Sequence, residues 1–379
     1  MSHAATFEEQ LAGLNAAGRL RRLEPRAGLD FSSNDYLGLA GDPIIARAVA
    51  EAIARGVRVG SGGSRLLRGN AREHEALEEK AARFFGSEAA LFFSNGFAAN
   101  MALFATLPQK GDLIVADELV HASAHEGLRC ARAEHRFAAH NDVGASRDAI
   151  RRWRAGGGRG RVWIAFETLY SMDGDFAPVD DLAALARAED GWLLIDEAHA
   201  TGVFGPMGRG LAAHLEGAEN VVSLHTCGKA LGVEGALVCA ARAIRDFLVN
   251  RARPFFFSTA PSLVMAVAVA AALDRIAEAD GLREQLDDLR NHAGRVLGRK
   301  LELPPPSSQI IPIILGDERR AMTVAEALRG RGFDVRGIRP PTVPEGTSRL
   351  RISLTLNVTP SDVDALADAL DEALKPVPA

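Results

Sequence analysis

Through the middle of the chain, short apolar runs alternate with helical patterns. The runs are "AALFFS" (89–94), "DLIVAD" (112–117), "RVWIAFET" (161–168), "WLLID" (192–196), "VVSLH" (221–225) and "GALVCA" (235–240). Between several of them lie stretches with apolar residues at helical spacing, such as "HASAHEGLRCA" (121–131) and "VDDLAALARAE" (179–189). Strands that are apolar at nearly every position are covered on both faces, which predicts a mainly parallel sheet in an α/β fold. Such sheets bind ligands at the carboxyl ends of their strands. The last third reads differently. A long helix over 263–297, broken near Gly281, precedes "QIIPIIL", an amphipathic "AMTVAEALRGRG", "FDVRGI", "RLRISL" and a closing helix "PSDVDALADALDEAL". The pattern predicts an N-terminal segment (1–42), a large α/β domain (43–262), and a connecting helix with a small C-terminal α+β domain (263–379).

Composition narrows the function. Of 379 residues, 47% are hydrophobic and 25% charged, ordinary for a globular enzyme. A formal net charge of -5 argues against a nucleic-acid partner, which needs a dense basic face. Arg is dense only in "RRWRAGGGRGR" (151–161), whose glycines predict a solvated loop. Cys130, Cys227 and Cys239 show no metal-ligand spacing and form no paired pattern, so no metal is expected and the reducing cytoplasm is the expected compartment. The first ten residues lack the layout of a signal peptide. The apolar run at 263–273 is too short to cross a bilayer, so no membrane partner is expected.

The candidate chemistry begins at Asp196-Glu197-Ala198-His199, four letters shared with nucleic-acid helicases. That reading fails, because a P-loop ATPase needs GxxxxGK[ST] before its metal-binding strand. The only Gly-Lys pair, Gly228-Lys229, follows the strand and precedes Ala230 rather than a hydroxyl. The Gly-rich "GSGGSRLLRGN" (60–70) contains none. A strand-end Asp with a Lys further on suits pyridoxal phosphate (PLP) instead. That cofactor needs a Lys for its Schiff base, an acid for its ring nitrogen, a phosphate cup and an aromatic cover. "SLHTCGKALG" places Lys229 in a turn led by Thr226, after an apolar strand. "FFSNGFAAN" (92–100) ends a strand and opens a helix whose free amides, at Asn95, Gly96 and Phe97, suit a phosphate dianion. His121 follows another strand end and is placed to stack on the ring. Singly, each feature has a plain structural alternative as a cap or surface residue; three at successive strand ends favour a site.

These motifs, with "FSSNDYLGLA" (31–40), "YSMDGDFAPVDDL", "FFFSTAPS" and "IRPPTVPEGTSRLRISL", resemble the α-oxoamine synthase family of fold-type I PLP enzymes, in order over nearly the whole chain. The resemblance implies a large domain with a mainly parallel seven-stranded sheet and a small C-terminal domain. It implies that Lys229 is the Schiff-base lysine, that Asp196 pairs with the pyridinium nitrogen and that His121 stacks on the ring. His199, with Ser171 nearby, meets the phenolic oxygen. Gly96, Phe97 and Thr226 hold the phosphate, with Ser258 and Thr259 reaching over from the neighbouring subunit of a homodimer. Arg351, with Asn34, takes the amino-acid carboxylate, since a planar guanidinium donates to it in pairs. Arg21 and Thr342 contact the acyl substrate. The reaction implied is a decarboxylative condensation of an amino acid with an acyl thioester. L-alanine and a pimeloyl thioester, on CoA or a carrier protein, are the expected pair, with glycine-using members and an inactive PLP-fold binding module as alternatives. Cys227, Ala230 and Glu234 depart from the family pattern.

Overall fold

The computed structural model describes residues 4–23 and 25–375. These fall into two compact units. One runs from Asn34 to Ser171 and from Asp175 to Glu284; the other holds the residues before Asn34, Met172–Gly174 and the chain from Gln285 onward. The first unit takes in the helix Leu263–Ala277, so its ends lie outside the 43–262 span expected from sequence.

A seven-stranded sheet forms the centre of the first unit. Its strands are β1 (Ala89–Phe93), β2 (Leu113–Asp117), β3 (Glu134–Ala138), β4 (Val162–Glu167), β5 (Trp192–Asp196), β6 (Val221–Thr226) and β7 (Ala236–Ala240), in the spatial order β1-β7-β6-β5-β4-β2-β3. Every pairing is parallel except those of β7, which runs against both neighbours. Successive residues of one strand enter opposite cores, as period-2 side chains must. Ile114, Trp163 and Leu194 pack with Leu103, Phe104 and Leu128 on one face. Leu113, Ile164 and Leu193 pack with Ile150, Trp153 and Leu182 on the other. Truncating one such residue, as in Leu194→Ala, costs about 2–5 kcal/mol.

Two differences from the sequence reading have clear causes. Strand β3, "EHRFA", went unrecognised because it is the exposed edge of the sheet and only Ala138 is buried. The Arg-rich stretch is not all loop. Helix Val143–Ala155 includes Arg151, Arg152 and Arg154, because Ile150 and Trp153 lie one turn apart and are both buried; residues 156–161 lie beyond it. Basic residues in a last turn also suit the helix dipole. The long C-terminal helix breaks close to Gly281, as expected, between Ala277 and Asp280. There Arg283 Nη1 donates to the Ile276 carbonyl at 2.8 Å, closing the first helix from outside.

The second unit carries a three-stranded antiparallel sheet of Ile310–Gly316, Arg336–Ile338 and Ser348–Ser353, with Ser348–Ser353 central. Helices Glu318–Gly330 and Pro360–Leu374 pack in this unit. Near the start of the chain, helix Ala5–Ala16 buries no residue, so no apolar stripe marked it. No helix among the described residues is long and apolar enough to cross a membrane.

Candidate active site

His121 follows the carboxyl end of β2, Ser171 that of β4, Asp196 and His199 that of β5, Thr226 and Lys229 that of β6, and Gly96 and Phe97 that of β1. Asp196 ends β5, and both its oxygens are held: Oδ2 accepts from Asn100 Nδ2 at 2.7 Å and Oδ1 from the Ala198 N–H at 2.9 Å. Asn100 is a buried amide on the apolar helix Gly96–Thr106 and also donates to Ser123 Oγ at 3.1 Å. Ser123 Oγ lies 2.7 Å from His121 Nδ1. One network therefore joins the strand-end acid to the imidazole that shares its pocket.

His121 caps the helix Ala122–Cys130, with Nδ1 accepting from the Ser123 N–H, and still lines a small cavity with Asn100, Phe104, Phe166, Glu167 and Asp196. His121 thus both caps a helix and lines a cavity. Burial holds its imidazole below the ordinary value; Asp196 acts against that, while Lys229 and His125 reinforce it. A neutral imidazole is suited to lie over a cationic ring.

His199 follows Asp196 in the next turn and is buried, with Nδ1 2.6 Å from Tyr36 Oη. Tyr36 Oη in turn donates to Asn34 Oδ1 at 3.0 Å. Asn34, expected at the substrate carboxylate, is thus engaged through its carbonyl oxygen by a fully buried tyrosine. Ser171 is buried in the turn after β4.

The loop after β6 is shaped by its own main chain. The Cys227 N–H donates to the Gly235 carbonyl at 2.9 Å, and the Gly232 N–H donates to the Lys229 carbonyl at 2.9 Å. Lys229 is half-buried, and its charge opposes protonation of His121 and favours the ionised form of Glu167. Of the departures from the family pattern, Cys227 and Ala230 are fully buried and Glu234 is exposed. A Cβ on Gly202 would lie 2.7 Å from the Ala230 Cβ, so a small residue at 230 suits this packing.

Gly96 opens its helix against Thr226. A Cβ built on Gly96 would lie 2.6 Å from Thr226 Cγ2, so glycine leaves the space above the helix N-terminus open. Asn95 caps the helix through the Ala98 N–H at 2.8 Å, and the Gly96 and Phe97 N–H groups meet no acceptor among the described residues. An anion is what such an end takes. A phosphorylated pyridine therefore fits: an open cup for the phosphate, a fixed carboxylate, a neutral ring and a lysine. Among the described residues no group of three or more His, Cys, Asp or Glu side chains could hold a metal ion.

Two carboxyl groups that sequence reasoning passed over clarify the site. Glu197, the second letter of the helicase-like motif, is fully buried and accepts from Thr168 Oγ1 at 2.6 Å and from the Leu211 and Ala212 N–H groups. It pins the 210–212 turn. Glu167 stands in register with Asp196 on the adjacent strand, is buried, and its Oε1 has no partner among the described residues. Burial and the Asp196 charge push its carboxyl well above the ordinary value. Its signal in the sequence was a lone acid ending the apolar run "VWIAFE".

In the second unit, Arg349 and Arg351 are both buried in the central strand Ser348–Ser353. Arg349 is consumed by an ion pair with Asp173, whereas Arg351 Nη1 donates to Ser353 Oγ at 2.7 Å. Arg21 and Thr342 are exposed, and Arg339 links them. The Thr342 N–H donates to the Arg339 carbonyl at 3.1 Å, Arg339 Nη2 donates to the Leu20 carbonyl at 2.9 Å, and the Arg21 charge acts on Arg339. Ser258 and Thr259, in the first unit, are exposed beside the exposed Phe257, and Ser258 Oγ donates to the Pro254 carbonyl at 2.7 Å.

Comparison with known proteins agrees with this fold. The model of the aminotransferase class I and II family matches residues 26–370. The 8-amino-7-oxononanoate synthase of Chromobacterium violaceum is 40% identical over 349 residues, 92% of this chain and 90% of that protein. Among solved structures, serine palmitoyltransferase with PLP superposes at a TM-score of 0.87 with 25% identity over 98% of both chains. The 8-amino-7-oxononanoate synthase of Francisella tularensis superposes at 0.77 with 27% identity, over 91% of this chain and 97% of the other. The chain belongs to the class I and II aminotransferase family of fold-type I enzymes and, within it, to the 8-amino-7-oxononanoate synthases.

Proposed function

We propose that this protein catalyses the PLP-dependent condensation of L-alanine with a pimeloyl thioester, releasing CO₂ and free thiol and forming 8-amino-7-oxononanoate for biotin biosynthesis. The observation that carries the chemistry is the doubly held Asp196 carboxylate, joined through Asn100 and Ser123 to His121. PLP, when bound, supplies the electron sink for the pair left at the substrate Cα. Asp196 presents a fixed negative charge to the pyridinium nitrogen. His121 would cover the cofactor ring and shield it from water, and His199, fixed by Tyr36, would hold the phenolic oxygen with Ser171. The Gly96 and Phe97 amides and the Thr226 hydroxyl hold the phosphate.

Lys229 would hold the cofactor covalently through its amine, and that amine can take the Cα proton of alanine and later return one. Arg351 binds the alanine carboxylate through a bidentate pair, with the Asn34 amide as a second donor to the substrate. Arg21 and Thr342 meet the acyl substrate, and Arg339, buried between them, orders that surface. Ser258 and Thr259 complete the phosphate site of a second copy in a homodimer, which their exposure supports. The test is thiol release and product mass with L-alanine or glycine against pimeloyl, acetyl and succinyl thioesters. Pimeloyl with alanine should lead; glycine with acetyl-CoA or succinyl-CoA leading would reassign the substrates and leave the cofactor site standing.

A further inference from the structure

His140 lies outside the pocket, just beyond the edge strand β3, and joins the segments that carry His121 and Ser171. Its Nδ1 is 3.0 Å from Asp117 Oδ1 and its Nε2 is 2.8 Å from Asp175 Oδ2. Asp117 ends β2, and its carboxylate also accepts from the Leu119 N–H at 2.8 Å, in the turn leading to His121, and from the Asn141 N–H at 2.7 Å. Asp175 lies in the turn after β4. Its carbonyl accepts from the Tyr170 N–H at 3.0 Å, one residue before Ser171, and its carboxylate accepts from Asn141 Nδ2 at 2.7 Å. The Tyr170 ring stands edge-on to the imidazole, with centroids 4.4 Å apart. Two carboxylates on opposite sides of one ring are both satisfied only by an imidazolium, which donates from both nitrogens.

We propose that His140 is a positioning residue that bridges Asp117 and Asp175, latching the loop of Ser171 to the turn of His121 and so fixing both against the cofactor ring. The inference rests on the assignment of His121 and Ser171 to the cofactor pocket. His140 itself touches neither cofactor nor substrate. Without its charge the two carboxylates keep only Asn141 in common, which donates a neutral amide to each, and the turns they hold loosen.

The test is amide hydrogen exchange on His140→Gln with and without PLP, combined with the pH titration of the bound cofactor's absorbance band and steady-state kinetics. Exchange should rise about fivefold or more at 118–123 and 168–177 while β4 stays protected, as local opening demands. The band titration should shift, and kcat should fall about tenfold with KM for the acyl thioester little changed. His140→Arg, which restores a cation with donors for both acids, should recover part of each loss. Should His140→Gln not fold, Asp175→Asn is expected to loosen 168–177 alone and shift the titration in the same direction. Unchanged exchange in both segments overturns the latch, as does faster exchange with an unmoved titration and normal kcat. Ser171→Ala separates this idea from the pocket reading. A shifted titration there with a silent His140→Gln overturns the latch. A silent Ser171→Ala with a shifted His140→Gln overturns the role of Ser171 and leaves the latch acting through His121.

Discussion

Glu167 and Asp196 stand opposite each other on neighbouring parallel strands, yet Asp196 accepts from Asn100 and from the Ala198 amide while Oε1 of Glu167 meets no partner among the described residues. Glu167 is the buried one, and burial and the Asp196 charge push its carboxyl well above the ordinary value, so Glu167 carries the proton.

Glu167→Gln, which copies a neutral acid, should therefore keep kcat within about threefold, whereas Asp196→Asn should lose about 10²–10³ or more in rate, as removal of a preorganised electrostatic partner does. Exchange of the alanine Cα proton with solvent measures both. Equal losses in the two variants would show that Glu167 works as an ionised group.

Gly96→Ala places a methyl group where Thr226 Cγ2 already lies. Overpacking of this kind costs about 1–3 kcal/mol, so PLP affinity should fall by roughly tenfold or more in a fluorescence titration. Adding Thr226→Ser, which removes Cγ2 and keeps the hydroxyl, should restore most of it. No recovery in the double variant would place the phosphate elsewhere.

The pH dependence of stability should carry the mark of His140. Desolvation acts against its charge, but hydrogen bonds to Asp117 and Asp175 and their charges raise its pKa to about 10 from the usual 6.5. Tyr170 and Asn141 complete its surroundings. A raised pKa in the folded state gives stability that is fully present below about pH 6.5 and is lost as pH climbs through about 10. Thermal midpoints of the parent protein should therefore decline over that window, and those of His140→Gln should decline less. Parallel profiles would contradict a charged His140.

The central sheet was legible because parallel strands covered on both faces are apolar throughout, and "WLLID" or "VWIAFE" can be little else. The edge strand Glu134–Ala138 was not, since solvent on one side lets Glu134, His135 and Arg136 occupy it. In the site, Asp196, His121 and Lys229 were legible as polar residues at strand or loop ends after apolar runs. Their supports were not. Asn100 reaches Asp196 across 96 positions and Tyr36 reaches His199 across 163, and local periodicity carries no trace of such pairings. Asn100 did leave one signal, as the lone amide in the apolar helix "GFAANMALF". Arg349 and Arg351 share one face of a strand by pattern, and nothing local announces that Arg349 pairs with Asp173, 176 positions away.

The most direct test of the whole account is Lys229→Ala, assayed by thiol release from pimeloyl-CoA with L-alanine and by mass after borohydride reduction in the presence of PLP. The parent protein should gain the mass of one reduced cofactor per chain and release thiol only when alanine is present. The variant should gain no cofactor mass and release none. A variant that still binds PLP covalently and turns over at the parent rate would contradict the assignment of Lys229 and, with it, the proposed chemistry.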